Sequence, residues 1–366
     1  MSKKILILGN SPSGLYDFRG ALIQELVSMG HEVVALTPKG LKYDEITSLG
    51  ARVIETPIDR RGVNPTKDLK LERLYTKIFK SEKPDLVITY TIKPNVYGGY
   101  AAEKLKIPYV ANVTGLGTTF QKEGTLKRLV TRMYRTSLKK AKTVFFENVE
   151  NRDTFVDNHI CEKNCTYVLN GAGVDLDRFH LADYPDGDTV RFLFIGRVMN
   201  EKGVNELFKV MERLTAEGVD CALDVLGYCE DDFKDRIDAY KKSGWLRFHG
   251  YQADVQSFIK QAHCFVLPSW HEGMANTNLE CASMGRPVIT TNIHGCLEAV
   301  EDGVSGFLCE KQNADDLYHK MKQFISLSYE ERKAMGIAGR KRMEELFDKI
   351  QVVEMTLNNL FKNKTI

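Results

Sequence analysis

The 366 residues carry 51 Lys and Arg against 49 Asp and Glu, with 43% hydrophobic residues and eight scattered cysteines. This is a globular composition, long enough for two domains with real cores, and no window approaches the roughly 20 apolar residues of a membrane span. The near-neutral total hides an asymmetry: residues 1–170 hold 27 Lys and Arg against 18 Asp and Glu, and the remainder 24 against 31. The first half is therefore expected to face something anionic.

The chain opens on Ile5-Leu6-Ile7-Leu8-Gly9, too short an apolar run for a signal peptide and followed at once by Asn10-Ser11-Pro12, so it reads as a first buried strand. Cys221 and Cys264 stand inside apolar runs and read as small core residues of a reducing compartment. Cys161 and Cys165 lack the second pair a zinc site would need. Runs at 4–9, 32–36, 52–55, 85–90, 108–112 and 143–146 alternate with segments of 3.6-residue periodicity. That rhythm is expected of a parallel sheet covered by helices, in which ligands bind beyond the carboxyl ends of the strands. The loop 10–14 is one candidate, because Gly14 would let a phosphate or sugar approach the backbone before a helix over 18–29. Arg60-Arg61-Gly62-Val63-Asn64-Pro65 is a basic loop expected to be mobile. Thr91-Ile92-Lys93-Pro94-Asn95 puts Lys93 at a strand's carboxyl end, and Val113-Thr114-Gly115-Leu116-Gly117-Thr118-Thr119 follows the next strand.

Thr125 to Lys142 holds Lys127, Arg128, Arg132, Arg135, Lys139, Lys140 and Lys142 without an acid, while Leu126, Leu129, Val130, Met133, Tyr134 and Leu138 recur at helical spacing. The segment reads as a basic amphipathic helix. Either it packs one face and solvates the other, or it meets an anionic membrane surface, which attracts each Lys or Arg by about 1 kcal/mol. The charge asymmetry favours the membrane.

The pattern breaks around Tyr167 to Asp175 and again at Pro185-Asp186-Gly187-Asp188. The domain junction is placed here, giving domains over 1–170 and 171–348, with a last helix in 349–366 packing back on the first. Asp175 and Asp177, like Asp186 and Asp188, have the D-x-D spacing of a metal site but sit in linker composition and are rejected as ligands. A second set of strands is expected at 190–196, 222–227, 246–250, 263–267 and 287–290, with tail helices at 314–326, 329–346 and 349–362. Arg197 and Lys202 stand five positions apart at a strand's carboxyl end beside a helix start, an arrangement suited to gripping a diphosphate without metal. Solvated bases on a surface loop are the plainer alternative. Gly227 and His249-Gly250-Tyr251 close two further strands, whose ends could hold a base by backbone hydrogen bonds and stacking on Tyr251. The densest stretch is Trp270 to Glu280: strand, Gly-bearing loop, then a helix stopping at Gly285. Backbone N–H groups and a helix N-terminus there suit a phosphate. Glu272 on the loop and Glu280 a turn into the helix are placed to accept hydrogen bonds from hydroxyls of a ribose and of an attached sugar.

Gly196-Arg197 with Lys202-Gly203, Glu272 to Glu280, Gly171-Ala172-Gly173-Val174-Asp175 with Phe179, and Glu298-Ala299-Val300 with Gly303 and Gly306 together resemble glycosyltransferase family 4. The resemblance spans nearly the whole chain and is strongest from 168 to 310. It implies the α/β GT-B fold, two facing Rossmann-like domains with a deep interdomain cleft, and a retaining enzyme that needs no metal or other cofactor. By resemblance, Arg197 and Lys202 hold the donor diphosphate, Glu272 contacts the transferred sugar and Glu280 the ribose. Met274, Ala275, Asn276 and Thr277 offer backbone N–H groups, Gly196, Gly227, Tyr251 and Gly273 complete the donor site, and Gly14 packs near the diphosphate across the cleft. Tyr16, Lys93, Thr114 and Gly115 fall on the acceptor side. Several relatives place a His where this chain has Ile92, so no first-domain catalytic residue is assigned.

The first half resembles bacterial enzymes that extend undecaprenyl-diphosphate-linked oligosaccharides, N-acetylgalactosaminyltransferases among them. The expected partners are a UDP-sugar donor, a lipid-diphosphate-linked saccharide acceptor and an anionic membrane surface, with no nucleic acid. The expected location is cytoplasmic, at the inner face of the plasma membrane. The alternatives are a nucleotide-sugar 2-epimerase, a phosphorylase or a non-catalytic nucleotide-sugar scaffold. The sequence offers no persuasive set of cleft carboxylates and His for the first and no pyridoxal-binding Lys for the second. A dinucleotide dehydrogenase fails on glycine spacing.

Overall fold

The computed structural model describes residues 1–59, 65–117, 120, 124–230 and 233–361. Residues 60–64 of the basic loop and Thr118-Thr119 of the glycine loop lie outside the described residues. The chain divides into two compact units, Met1–Ala172 with Ile350–Ile366, and Gly173–Lys349.

Seven strands build the sheet of the first unit: β1 (Lys4–Leu8), β2 (Glu32–Thr37), β3 (Arg52–Glu55), β4 (Leu86–Tyr90), β5 (Tyr109–Val113), β6 (Thr143–Phe146) and β7 (Thr166–Val168). All are parallel, in the order β3-β2-β1-β4-β5-β6-β7. Every residue of β4 and β5 is buried, as expected of strands with helices on both faces. Alternate side chains feed two cores. Leu6, Leu8, Val34 and Leu36 meet Tyr75, Phe79 and Phe155 on one face. Ile5, Ile7, Val33 and Ala35 meet Leu22, Ile23 and Leu26 on the other. Val352 and Leu360 of the last helix, Lys349–Phe361, join this second core, and Lys142 Nζ donates to the Leu360 carbonyl at 2.8 Å.

Two expectations are corrected here, and one strand is added. The first helix begins at Pro12, ahead of the expected start at 18, because Ser11 caps it (its Oγ accepts from the Gly14 N–H at 3.3 Å) and Pro12 opens its first turn. The basic helix runs only from Thr125 to Ser137. Beyond it Ala141 N–H donates to Leu138 O and Lys142 N–H to Tyr109 O, turning the chain into β6, so Lys139, Lys140 and Lys142 lie outside the helix. Strand β7 escaped the sequence reading because its three half-buried residues pair only with β6 and are too few to show a period.

The second unit repeats the winding. Its strands are β8 (Val190–Ile195), β9 (Cys221–Leu226), β10 (Leu246–Gly250), β11 (Cys264–Leu267), β12 (Val288–Thr291) and β13 (Gly306–Cys309), ordered β10-β9-β8-β11-β12-β13 and parallel throughout. Phe192, Phe194, Phe208, Phe265 and Phe324 anchor its core, and Cys221, Cys264, Cys281, Cys296 and Cys309 are buried, unbridged thiols. In both sheets the strand order reverses beside the first strand, between β1 and β4 and between β8 and β11. In open α/β sheets that crevice, at the carboxyl ends, is where ligands bind. Among the described residues no helix is long and apolar enough to cross a membrane.

Candidate active site

The switch point of the second unit is built from the loops that leave β8 and β11. After β8 the chain passes Gly196 and Arg197, makes a short turn at Asn200–Lys202, and enters the helix Val204–Ala216 through Gly203. Gly203 has φ +70°, and a Cβ there would stand 1.9 Å from the Pro268 carbonyl oxygen. The two loops can close on each other only with glycine at this position. The Trp270 N–H and the Ser269 hydroxyl both donate to the Glu201 carbonyl, at 2.9 and 3.1 Å. This clasp brings Lys202 Nζ onto the Glu272 carboxylate. Both side chains are mostly buried, 22% and 13% exposed, so the pair is shielded from the screening that weakens surface ion pairs.

Glu272 is braced from a third loop, after β12. Gly295, at φ +90°, lies so close that a Cβ would meet the Glu272 carbonyl oxygen at 2.7 Å. The Ala275 N–H donates to the Gly295 carbonyl at 2.7 Å. Gly295 is held in turn by Glu298, which accepts from its N–H at 2.7 Å and from His294 Nδ1 at 2.8 Å. In the sequence Glu298-Ala299-Val300 entered only as part of the family resemblance, without this role; the Glu298 carboxylate three positions after a Gly was the available signal.

From Ala275 the chain enters the helix Asn276–Ser283, whose N-terminus has no side-chain cap and no acidic residue in its first turn. Of the four N–H groups expected to face a donor, those of Ala275 and Asn276 are already spent on the Gly295 and Met274 carbonyls, at 2.7 and 3.0 Å, so this N-terminus offers an anion its positive dipole end and the amides of Met274 and Thr277. Glu280, half-buried, is one turn in. Met274 and Ala275 are buried, and Gly273, Asn276 and Thr277 complete the loop and first turn. Four buried side-chain atoms in the Trp270–Glu280 stretch, Trp270 Nε1, His271 Nε2, Asn276 Oδ1 and Asn278 Oδ1, have no hydrogen-bond partner among the described residues. Buried polar groups ordinarily find partners, so their clustering at the switch point marks a place built for a polar ligand. Burial pulls the His271 imidazole below its ordinary pKa, keeping it neutral.

Arg197 stands apart from the Lys202–Glu272 pair. It is half exposed, with its guanidinium 3.6 Å from the Glu230 carboxylate; Glu230 was not singled out by sequence. Gly196 and Gly227 end β8 and β9, where the Gly196 N–H donates to Leu226 O and the Gly227 N–H to Gly250 O. Tyr251 follows β10 and is stacked on Tyr228, with ring centroids 4.9 Å apart and planes 9° from parallel, both rings exposed. The stack is an exposed aromatic platform at the same edge of the sheet.

In the first unit, Gly14 lies in the first helical turn, where a Cβ would make only ordinary contacts with Ser11. Tyr16 packs beneath Lys42, whose Nζ lies 5.0 Å from the ring centroid. Lys93 is nearly buried and ion-paired at 2.8 Å with Asp68, and Thr114 and Gly115 follow β5 half-buried. Of the basic residues around the Thr125–Ser137 helix, Arg135 donates to the Asn158 and His159 carbonyls and Lys140 stands 3.7 Å from Glu103. Lys127 is half-buried. Arg128, Arg132 and Lys139 are exposed, with no ion-pair partner among the described residues. The D-x-D at 175–177 has a structural use: Asp175 receives Lys349 Nζ at 3.0 Å and the Arg178 N–H at 2.9 Å.

Comparison with known proteins places this geometry in context. Residues 182–342 match the model of "Glycosyl transferases group 1" and residues 4–148 that of "Glycosyl transferase 4-like". The chain is 28% identical over 348 residues to the N,N'-diacetylbacillosaminyl-diphospho-undecaprenol alpha-1,3-N-acetylgalactosaminyltransferase of Campylobacter jejuni, covering 90% of each chain. It is 27% identical over 293 residues, 74% of each chain, to the UDP-Gal:alpha-D-GlcNAc-diphosphoundecaprenol alpha-1,3-galactosyltransferase of Escherichia coli. Among solved structures, Anabaena HepE in complex with UDP and glucose superposes with a TM-score of 0.82 at 16% identity, covering 99% of this chain and all of the other.

Proposed function

We propose that this chain, which belongs to the glycosyltransferases of the GT-B fold, moves a hexose or N-acetylhexosamine from a UDP-sugar to a lipid-diphosphate-linked saccharide, with retention at the anomeric carbon and without a metal. The observation that carries the reading is the Lys202–Glu272 pair beside an uncapped helix N-terminus at the β8/β11 switch point. The names of the Campylobacter and Escherichia coli relatives, both acting on undecaprenol-linked diphosphates, support the acceptor class.

In this mechanism the donor diphosphate lies against the amides of Met274 and Thr277 and takes Lys202 away from Glu272. The freed Glu272 carboxylate accepts hydrogen bonds from hydroxyls of the sugar, and Glu280 from those of the ribose. The base lies against Tyr251 at the ends of β9 and β10. Breaking the C1–O bond builds negative charge on the diphosphate. Lys202 and Arg197, once turned onto the diphosphate, and the helix N-terminus stabilise that charge, which in a dry site lowers the barrier by several kcal/mol. Same-face attack, with the departing phosphate oxygen taking the acceptor's proton, gives retention without a protein base. Arg197 swings from Glu230 to the diphosphate, so Arg197→Ala should raise the donor KM and lower kcat. Turnover near wild type would count against this site.

The acceptor's lipid brings the enzyme to a membrane, with Lys127, Arg128, Arg132, Arg135, Lys139 and Lys140 on the approaching face. Reversing Lys139 and Lys140 to Glu should weaken binding to anionic vesicles at low salt, where surface charges are least screened. Unchanged binding would remove this part of the reading.

A further inference from the structure

The first unit contains a cavity of about 560 Å³ that the mechanism above does not use, lined by Leu69, Tyr97, Tyr100, Leu129 and Met133 with Asp68, Glu72 and Lys104 at its polar edge. Its size is that of a small-molecule site, roughly 300–1,000 Å³, and its wall is overwhelmingly apolar. Three helical segments frame it: Pro65–Glu82, the turn and helix over Pro94–Leu105, and the basic helix Thr125–Ser137.

The basic helix explains why the space is open. Its apolar positions fall into two stripes. Val130, Tyr134 and Ser137 are buried against the core, with Leu138 just beyond. Leu126 and Leu129, three apart and so on one face, do not join them and are 46% and 47% exposed, while Met133, a turn further on, is half-buried and packs at the margin of that core. Leu69, across the cavity, is 48% exposed. Apolar surface left open in this way on two facing elements marks a binding place. The polar groups at the edge are already engaged. Asp68 holds Lys93, the Tyr97 hydroxyl hydrogen-bonds to Asp68, Tyr100 is tied to Thr136 and the Met133 carbonyl, and Glu72 meets Lys104 at 3.5 Å. What remains for a ligand is greasy. Arg128 and Arg132 flank the Leu126/Leu129/Met133 stripe on the side away from the buried face, by the same helical spacing.

We propose that this cavity seats the isoprenoid chain next to the diphosphate of the lipid-linked acceptor, the diphosphate itself lying outside against Arg128 and Arg132. The occupant follows from charge and polarity together: an apolar hollow, with two arginines set by helical spacing beside its Leu129 and Met133 wall, fits a molecule that is greasy at one end and doubly anionic at the other. This rests on the acceptor class proposed above and assigns that lipid a place in the fold.

The test compares one saccharide diphosphate carried on a polyprenyl chain and on a short alkyl group, in the wild type and in Leu129→Glu and Met133→Trp, which charge and fill the cavity from a helix surface. The ratio of the polyprenyl KM to the short-alkyl KM should rise about tenfold or more in both variants, with the donor KM unmoved. An unchanged ratio, whether both values stay put or rise together, would overturn the proposal. If the wild type transfers to neither acceptor, the proposed function fails, and binding decides the cavity alone. Farnesyl diphosphate should then bind the wild type more tightly than inorganic diphosphate and lose that advantage in Leu129→Glu. Equal binding of the two, or displacement of farnesyl diphosphate by vesicles of phospholipid free of prenyl lipid, would overturn the assignment.

Discussion

The Lys202–Glu272 pair supports a prediction that separates a structural ion pair from a catalytic cation. Replacing Lys202 by Met keeps the length of the side chain and removes its charge. It leaves the Glu272 carboxylate, 13% exposed, without its cation. Breaking a fully buried pair costs about 3–5 kcal/mol; with this residual exposure about 1–3 kcal/mol is expected, a Tm drop of several degrees for a unit of this size. Activity should fall further than stability explains. Loss of one fixed group facing charge in the transition state lowers kcat by about 10²- to 10³-fold, or about 2.7–4 kcal/mol. The decisive variant is the double replacement Lys202→Met with Glu272→Gln. Because a neutral amide at 272 no longer needs a cation beside it, the double variant should regain most of the lost Tm. Its kcat should stay as low as that of Lys202→Met, because the diphosphate still lacks its cation. Thermal unfolding and steady-state transfer on the same preparations read both quantities. If kcat returned together with Tm, or if Lys202→Met turned over within about threefold of wild type, Lys202 would be a structural partner of Glu272 and the mechanism would be refuted.

Gly295→Ala places a Cβ 2.7 Å from the Glu272 carbonyl oxygen at φ +90°; the strain should lower stability by about 1–3 kcal/mol and raise the donor KM by moving Glu272, read by thermal unfolding and donor titration. His263 gives a pH signature. Burial, helped by the charges of Arg332, Arg191 and Arg286, pulls its pKa down to about 4 from the ordinary 6.5. The folded state thus favours the neutral ring, whose stabilisation is complete above about pH 6.5 and is lost as pH falls toward 4, at no more than about 1.36 kcal/mol per pH unit. Tm measured from pH 7 to 4.5 should fall more steeply in the wild type than in His263→Gln, and parallel curves would contradict the assignment. Transfer should survive exhaustive chelation with EDTA without loss of kcat; a loss restored by added magnesium would show that the side-chain cations are insufficient.

Much of the fold was legible because its signals are local. The buried parallel strands announce themselves as unbroken apolar runs, and the helices Ala314–Ser326 and Tyr329–Leu346 fall where their periodicity places them. Gly285, at φ +75°, follows the Asn276–Ser283 helix as its position suggested. The short helix over the switch point was readable for the same reason: a strand, a glycine and a polar loop occur in sequence there. Side-chain pairing was not legible, because it joins residues far apart in the chain. Nothing near Lys202 names Glu272, seventy positions on, and nothing near Arg197 names Glu230 or near Lys93 names Asp68. The basic helix was misjudged in length for a related reason. Its composition continues to Lys142, but its end is set by the backbone bond from Lys142 to Tyr109 that feeds β6.

The account turns on where the nucleotide's phosphates go. A crystal structure of the protein with UDP, grown with magnesium present, tests this most directly. The two phosphoryl groups should lie within hydrogen-bond distance of Lys202 Nζ and the Met274 and Thr277 amides, with Glu272 released from Lys202 and no metal between them. Phosphates bound away from these groups, or ligated by magnesium, would contradict it.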